Sequence, residues 1–208
     1  VGIFQTAEEI SASAQPNAKP GDPKWDDVNG DRVINERDRV VLGNPYPDVT
    51  LGLSNDFSYK NFALTVFFEG AFGADLFHWQ TVDALYANDP YRNRMAAPLL
   101  NRWTPESPGN TWPSGVSIAQ LQYSKTNSFT ILGASYIRLK NVELSYQIRI
   151  KNTNAIKGLR VSLSGQNLLL FTDYPGFDPD VNATGTGNIR YDRNAYPASR
   201  TYMLGLNL

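Results

Sequence analysis

The chain has 208 residues and no cysteine, which excludes a disulfide framework, a thiol nucleophile and any thiolate metal site. Its single histidine, His78, leaves no second imidazole for a histidine-rich zinc centre and argues against a Ser-His-Asp triad. A formal charge of −1 argues against nucleic acid as a partner. Aromatic residues make up 12% while charged residues reach only 19%, below the usual quarter, so contact area outweighs surface charge. No apolar run approaches the roughly 18 residues of a transmembrane helix. The chain opens on VGIFQTAEEI, with neither a methionine nor a basic leader, and reads as part of something longer.

Residues 1–48 are irregular. TAEEI offers Thr6 as an N-cap with Glu9 three residues on, which predicts a short helix. SAQPNAKPGDPKW then breaks the pattern with three prolines and a glycine. DVNGDRVINERD, residues 27–38, sets oxygen-bearing side chains at the spacing of an EF-hand-like loop, and GNPYPD closes the region. From there the period becomes two. Leu51, Leu53, Phe57 and Tyr59 alternate with Gly52, Ser54, Asp56 and Ser58. After Lys60-Asn61 the set Phe62, Leu64, Val66 and Phe68 continues on one face, which predicts a tight hairpin. A long connection, 73–133, is rich in Pro, Asn and Trp. Ile137 and Leu139 then share one parity and Val142, Leu144, Tyr146 and Ile148 the other, so the phase slip near Lys140-Asn141 predicts a β-bulge. A turn near 149–158 leads to Leu159, Val161 and Leu163, set against Arg160, Ser162, Ser164 and Gln166. A second long connection, 172–198, precedes Tyr202, Leu204, Leu206 and Leu208.

The predicted fold class is therefore all-β, with strands joined alternately by very short and very long connections. That asymmetry fits the antiparallel wall of an outer-membrane β-barrel, with short periplasmic turns and long extracellular loops. Strand lengths agree, since a tilted spanning strand needs about 9–11 residues. On this reading residues 1–48 and the loops 73–133 and 172–198 lie outside, and the C-terminus is periplasmic. The same alternation also fits a half-buried sheet of a soluble domain, whose small-residue face meets solvent.

Several segments carry a resemblance, in this order: PGDPKWDDVNGD with INERDRVVLGNPYPD, LSNDFSYKNFALTVFFEGAFGADLF, GASYIRLKNVELSYQI, LRVSLSGQNLLLFTDYPGFDPDV and YPASRTYMLGLNL. Together they resemble the C-terminal part of the SusC/RagA family of TonB-linked outer-membrane transporters of Bacteroidetes, over nearly the whole chain. The resemblance implies about a quarter of a large transporter, the last strands of a barrel of about 22 strands whose lumen is plugged by an N-terminal domain not in this chain. It further implies import of a glycan or peptide across the outer membrane, energy delivered through TonB, and a SusD-like surface lipoprotein lying over the barrel mouth. Such barrels usually end on an aromatic residue; the alternation puts that position two residues beyond Leu208.

Three places could carry chemistry. Asp27, Asn29, Asp31, the Val33 carbonyl, Asn35 through water, and Asp38 supply the hard oxygens that Ca2+ takes as a structural ion. Against this, Arg32 occupies the position that favours glycine, and the competing reading is a turn in which Asp27 and Asp31 accept from nearby backbone N–H groups. The loop 73–133 holds Trp79, Tyr86, Tyr91, Trp103 and Trp112 with Arg92, Arg94 and Arg102. Trp79, Tyr86, Trp103 and Trp112 are the candidate substrate or lid contacts, because flat aromatic faces beside polar groups suit a sugar or peptide; such rings also build the core of a large loop. Finally Asp173, Asp178 and Asp180 form a carboxylate cluster, but two prolines and Gly176 make it a shaped turn at the barrel lip and not an enzyme site. The alternative for the whole chain is a secreted, calcium-stabilised, carbohydrate-binding β-domain.

Overall fold

The computed structural model describes residues 2–85, 96–109, 111–115, 126–150, 158–181 and 190–208. In chain order the elements are β1 (Gly2–Ile3), α1 (Ala7–Ser11), β2 (Pro23–Lys24), a 3-10 turn (Glu36–Asp38), β3 (Val49–Tyr59), β4 (Phe62–Phe72), β5 (Asp75–His78), α2 (Trp79–Leu85), α3 (Ala96–Leu100), β6 (Ile131–Gly133), β7 (Tyr136–Arg149), β8 (Gly158–Thr172), β9 (Tyr191–Asp192) and β10 (Thr201–Asn207). They fall into two compact units. Val1–Gly43, Phe77–Leu132 and Ala183–Asn194 form the first, and Asn44–Leu76, Gly133–Asn182 and Ala195–Leu208 the second. The N-terminal segment thus shares a unit with parts of both long connections. No helix among the described residues is long and apolar enough to cross a membrane.

The first unit is built from short pieces. β1 and β2 pair antiparallel, Gly2 opposite Lys24 and Ile3 opposite Pro23. Between them α1 starts where the capping signal places it: Thr6 Oγ1 accepts from Glu9 N at 3.3 Å, and the Glu9 carboxylate accepts from Gln5 N at 3.1 Å. Ile3, Phe4 and Ile10 are buried apolar residues of this segment. The chain approaches β2 through Gly21, whose φ of +89° is open to glycine at little cost. A Cβ there would stand 2.5 Å from Cε3 of Trp103, so the ring packs directly on the backbone.

The second unit is a five-stranded antiparallel sheet in the order β10-β8-β7-β4-β3. Its register explains why the period-two segments pair as they do. Leu204, Leu163, Leu144, Leu64 and Phe57 face one another across all five strands. Leu206, Val161, Tyr146, Phe62 and Tyr59 form the next row toward the hairpin ends, with the Phe62 and Tyr146 ring centroids 4.5 Å apart. On the other face run Gly205, Ser162, Ser145, Ala63 and Ser58, then Met203, Ser164, Glu143, Thr65 and Asp56. One face is aliphatic and aromatic; the other is small, hydroxylated and charged. Phe57, Leu144, Leu163, Leu204 and Leu206 are all exposed. A large apolar side chain left in water forgoes about 1.5–3 kcal/mol of burial, so this face requires an apolar cover.

The phase slip lies where the pattern puts it. Between Phe67 and Phe68 of β4, strand β7 carries the extra residue Lys140, and β8 sets Asn167 and Leu168 against it. Asn167 takes φ 54° and donates from Nδ2 to the Ser199 carbonyl at 3.0 Å. The insertions restore the parity, so Leu139 meets Phe68 and Val142 meets Val66 on the same apolar face. The tight hairpin is also present, with Lys60 at φ 54° joining Tyr59 to Phe62.

Candidate functional site

The loop 27–38 is organised around its own backbone. Asp27 accepts from Gly30 N and Arg32 N, both at 2.8 Å, and Asp31 Oδ1 accepts from Val33 N at 2.9 Å. Asn29 Oδ1 accepts from Asp31 N at 2.9 Å while its Nδ2 donates to Asp31 Oδ2 at 2.9 Å. Asp38 reaches back to Val28 N at 3.0 Å and Asn35 N at 2.8 Å, and the Val33 carbonyl accepts from Asn35 Nδ2 at 3.0 Å. Arg32 adopts the left-handed turn, φ 63°, although it is not glycine, at a cost of about 1–2 kcal/mol. Among the described residues no group of three or more His, Cys, Asp or Glu is arranged to hold a metal ion. The geometry is that of an Asx-rich turn.

The aromatic candidates part company. Trp103 is only 8% exposed; its N–H groups donate to the Trp112 carbonyl and to Gln5 Oε1, both at 2.9 Å, and its ring covers Gly21. It is a core residue of the first unit and offers no face to a ligand. Trp112 is half-buried and forms a parallel bridge with Arg102. Trp79, at the start of α2, lies 6.1 Å from Phe77 and 6.0 Å from Tyr191, with the Arg193 guanidinium 5.1 Å from its ring centroid. Phe77 stacks on Tyr191 at 5.1 Å because β5 and β9 pair in parallel with those two residues in register. These rings occupy one another. Tyr86, Tyr91, Arg92 and Arg94 lie outside the described residues. His78 is buried, its Nδ1 2.8 Å from Thr81 Oγ1 and its Nε2 against Gln80 Oε1, and burial pushes its pKa down.

A third cluster, on the sheet unit, is one that sequence reasoning saw only in part. Arg138 stands on β7 with the parity opposite to the exposed Ile137 and is 4% exposed. Its Nη2 donates to Asp178 Oδ1 at 2.6 Å, its Nε lies 3.6 Å from Glu69, and Lys140 Nζ reaches the same Glu69 oxygen at 2.9 Å. Asp178 also accepts from Asp180 N at 2.9 Å and Ala198 N at 3.4 Å. Burial opposes the Asp178 charge, but the Arg138 bond and the backbone donors outweigh it and hold the carboxyl below its ordinary value. Asp178 is therefore one half of a clamp, while Asp173 and Asp180 are exposed. The available signal was Arg138 between Ile137 and Leu139, on the parity opposite to both, where a buried guanidinium needs a counter-charge.

No family model matches the chain. Along its whole length, however, it is 35% identical to TonB-dependent receptor P26 of Formosa agariphila, of which it covers 22%, and over 92% of its length it is 28% identical to TonB-dependent receptor SusC of Bacteroides thetaiotaomicron, of which it covers 18%. It also superposes on the structure of the RagAB peptide transporter with a TM-score of 0.65 and 28% identity, covering 80% of this chain and 17% of that one. Over its full length the chain matches TonB-dependent receptors of the SusC and RagA type. It spans about a fifth of the length of the curated family members it matches. These SusC/RagA relatives are receptors and transporters, so an enzymatic reading of Asp173, Asp178 and Asp180 falls with the kinship.

Proposed function

We propose that this protein is the barrel part of an outer-membrane, TonB-dependent importer of a nutrient, a glycan or a peptide, working with a SusD-like surface lipoprotein. The observation that carries the reading is the two-faced sheet: a continuous apolar face across five antiparallel strands and a polar face behind it. In a bilayer the apolar rows meet lipid, the polar rows line a lumen, and closure into a barrel of about 22 strands removes both edges. The short hairpin at Lys60-Asn61 then lies on the periplasmic side with the C-terminus, and the segments 73–133 and 172–198 lie outside. The plug and the TonB contact belong to the rest of the receptor. Kinship with receptors and transporters leaves no support for a secreted carbohydrate-binding domain.

The test uses the full-length receptor in its own host. It should fractionate with the outer membrane, need detergent for extraction, and co-purify with a surface lipoprotein; its deletion should slow growth on the imported nutrient. Recovery of the full-length protein in the soluble fraction without detergent rejects the reading.

Calcium in the 27–38 loop is a second part of the proposal. Its support is the oxygen spacing and the left-handed Arg32, and each carboxylate oxygen that accepts an N–H keeps a second lone pair for a cation. If Ca2+ binds, Asp31→Ala raises protease sensitivity within residues 20–45 and chelator reproduces the effect in the parent, with barrel assembly untouched. No change on adding chelator means that the loop is a turn alone.

A further inference from the structure

The turn that leaves β8 is held more firmly than a surface loop requires. Tyr174 is 5% exposed and Pro179 is fully buried. A Cβ at Gly176 would fall 2.4 Å from Cε1 of Tyr174, so the ring lies flat against the glycine. Tyr174 N donates to Thr172 Oγ1 at 3.1 Å, and that hydroxyl donates to the Ser135 carbonyl at 2.7 Å. Asp178 closes the turn through Arg138, Asp180 N and Ala198 N. Within this frame the large apolar side chain of Phe177 stands out, 67% exposed beside the buried Asp178 and Pro179.

A fixed, protruding aromatic side chain loses little conformational entropy on binding, which is the character of an interface hot spot. Its surroundings select the occupant. Lipid does not fit, because Arg138 draws the turn to the polar side of the sheet, away from the exposed Ile137 and Phe171. A small ligand is held in a concavity that covers it, whereas Phe177 is 67% exposed. What remains is a protein surface with a pocket. We propose that Phe177 is an anchor by which this receptor seats its surface lipoprotein, and that the Arg138–Asp178 clamp is its positioning element. The inference rests on the importer reading, which places this end of the strands outside the cell.

The experiment measures release of labelled lipoprotein from the detergent-solubilised full-length receptor, with the compact heat-resistant form on gels as the control for barrel assembly. Phe177→Ala should speed release at least tenfold, Phe177→Leu should fall between it and the parent, and Asp178→Asn should speed release while opening residues 173–181 to protease. Unchanged release in Phe177→Ala from a parent that holds the lipoprotein overturns the anchor and leaves the importer reading standing. A parent that holds no lipoprotein overturns both. Retained lipoprotein with weakened nutrient binding assigns Phe177 to the substrate, and loss of the compact form assigns it to packing against the plug; either result overturns the proposal. Asp178→Asn with an open turn and parental release removes the positioning role.

Discussion

Replacing Leu163 by Arg is expected to destabilise the inserted receptor by about 2–4 kcal/mol, and the same change at the adjacent Ser164 by far less. Leu163 is 57% exposed and sits in the middle of a row that runs from Leu204 through Leu144 and Leu64 to Phe57. A guanidinium there enters hydrocarbon with nothing to pair with. Ser164 faces the other way, directly opposite Glu143, so an Arg at that position meets water and a carboxylate. The measurement is the urea concentration at which the full-length receptor in lipid vesicles loses its compact heat-resistant form. Equal losses at the two neighbouring positions reject a wall with one lipid face and one lumen face.

The second large effect is expected at the clamp. Asp178→Ala leaves the buried Arg138 guanidinium without its 2.6 Å partner, and breaking one side of a buried pair costs about 3–5 kcal/mol. Glu69, 3.6 Å from Nε and shared with Lys140, offers partial compensation and sets the expectation at the lower end. The loss should appear as hydrogen exchange in residues 173–181 before the strands themselves open. Arg138→Met combined with Asp178→Ala should recover part of it, because removing both charges is far cheaper than stranding one. The pH dependence has a defined sign. Since the folded Asp178 carboxyl titrates below its ordinary value of 3.8, its contribution is complete above that value and is lost only as pH falls through the lowered one. Exchange in the turn should not vary between pH 5 and 8 on this account; a loosening that begins near neutrality points to another group.

Much of the wall was readable from residue order alone, because the rules that set it are local. Side-chain alternation has a period of two, so Leu51 to Tyr59 and Phe62 to Phe68 declare their faces without knowledge of any partner. The slip between Leu139 and Val142 announced the bulge at Lys140, and Thr6 with Glu9 announced α1. What the alternation left open was the matching extra residue in β8, because Asn167 is defined only against its neighbour strand. The same limit applies to the candidate sites. Oxygen spacing in the 27–38 loop is a local property, but how the turn closes is not, and here Asp27 and Asp31 accept from the N–H groups of Gly30, Arg32 and Val33. Trp103 and Phe177 are both aromatic residues in long connections, yet one is buried on Gly21 and the other stands in solvent. Composition treats them alike; contacts distant in sequence, Gly21 with Trp103 and Arg138 with Asp178, separate them. Local periodicity determined the two faces of the wall, and only tertiary packing decided which polar and aromatic side chains are free to act, since burial and charge pairing are settled by partners that residue order does not place.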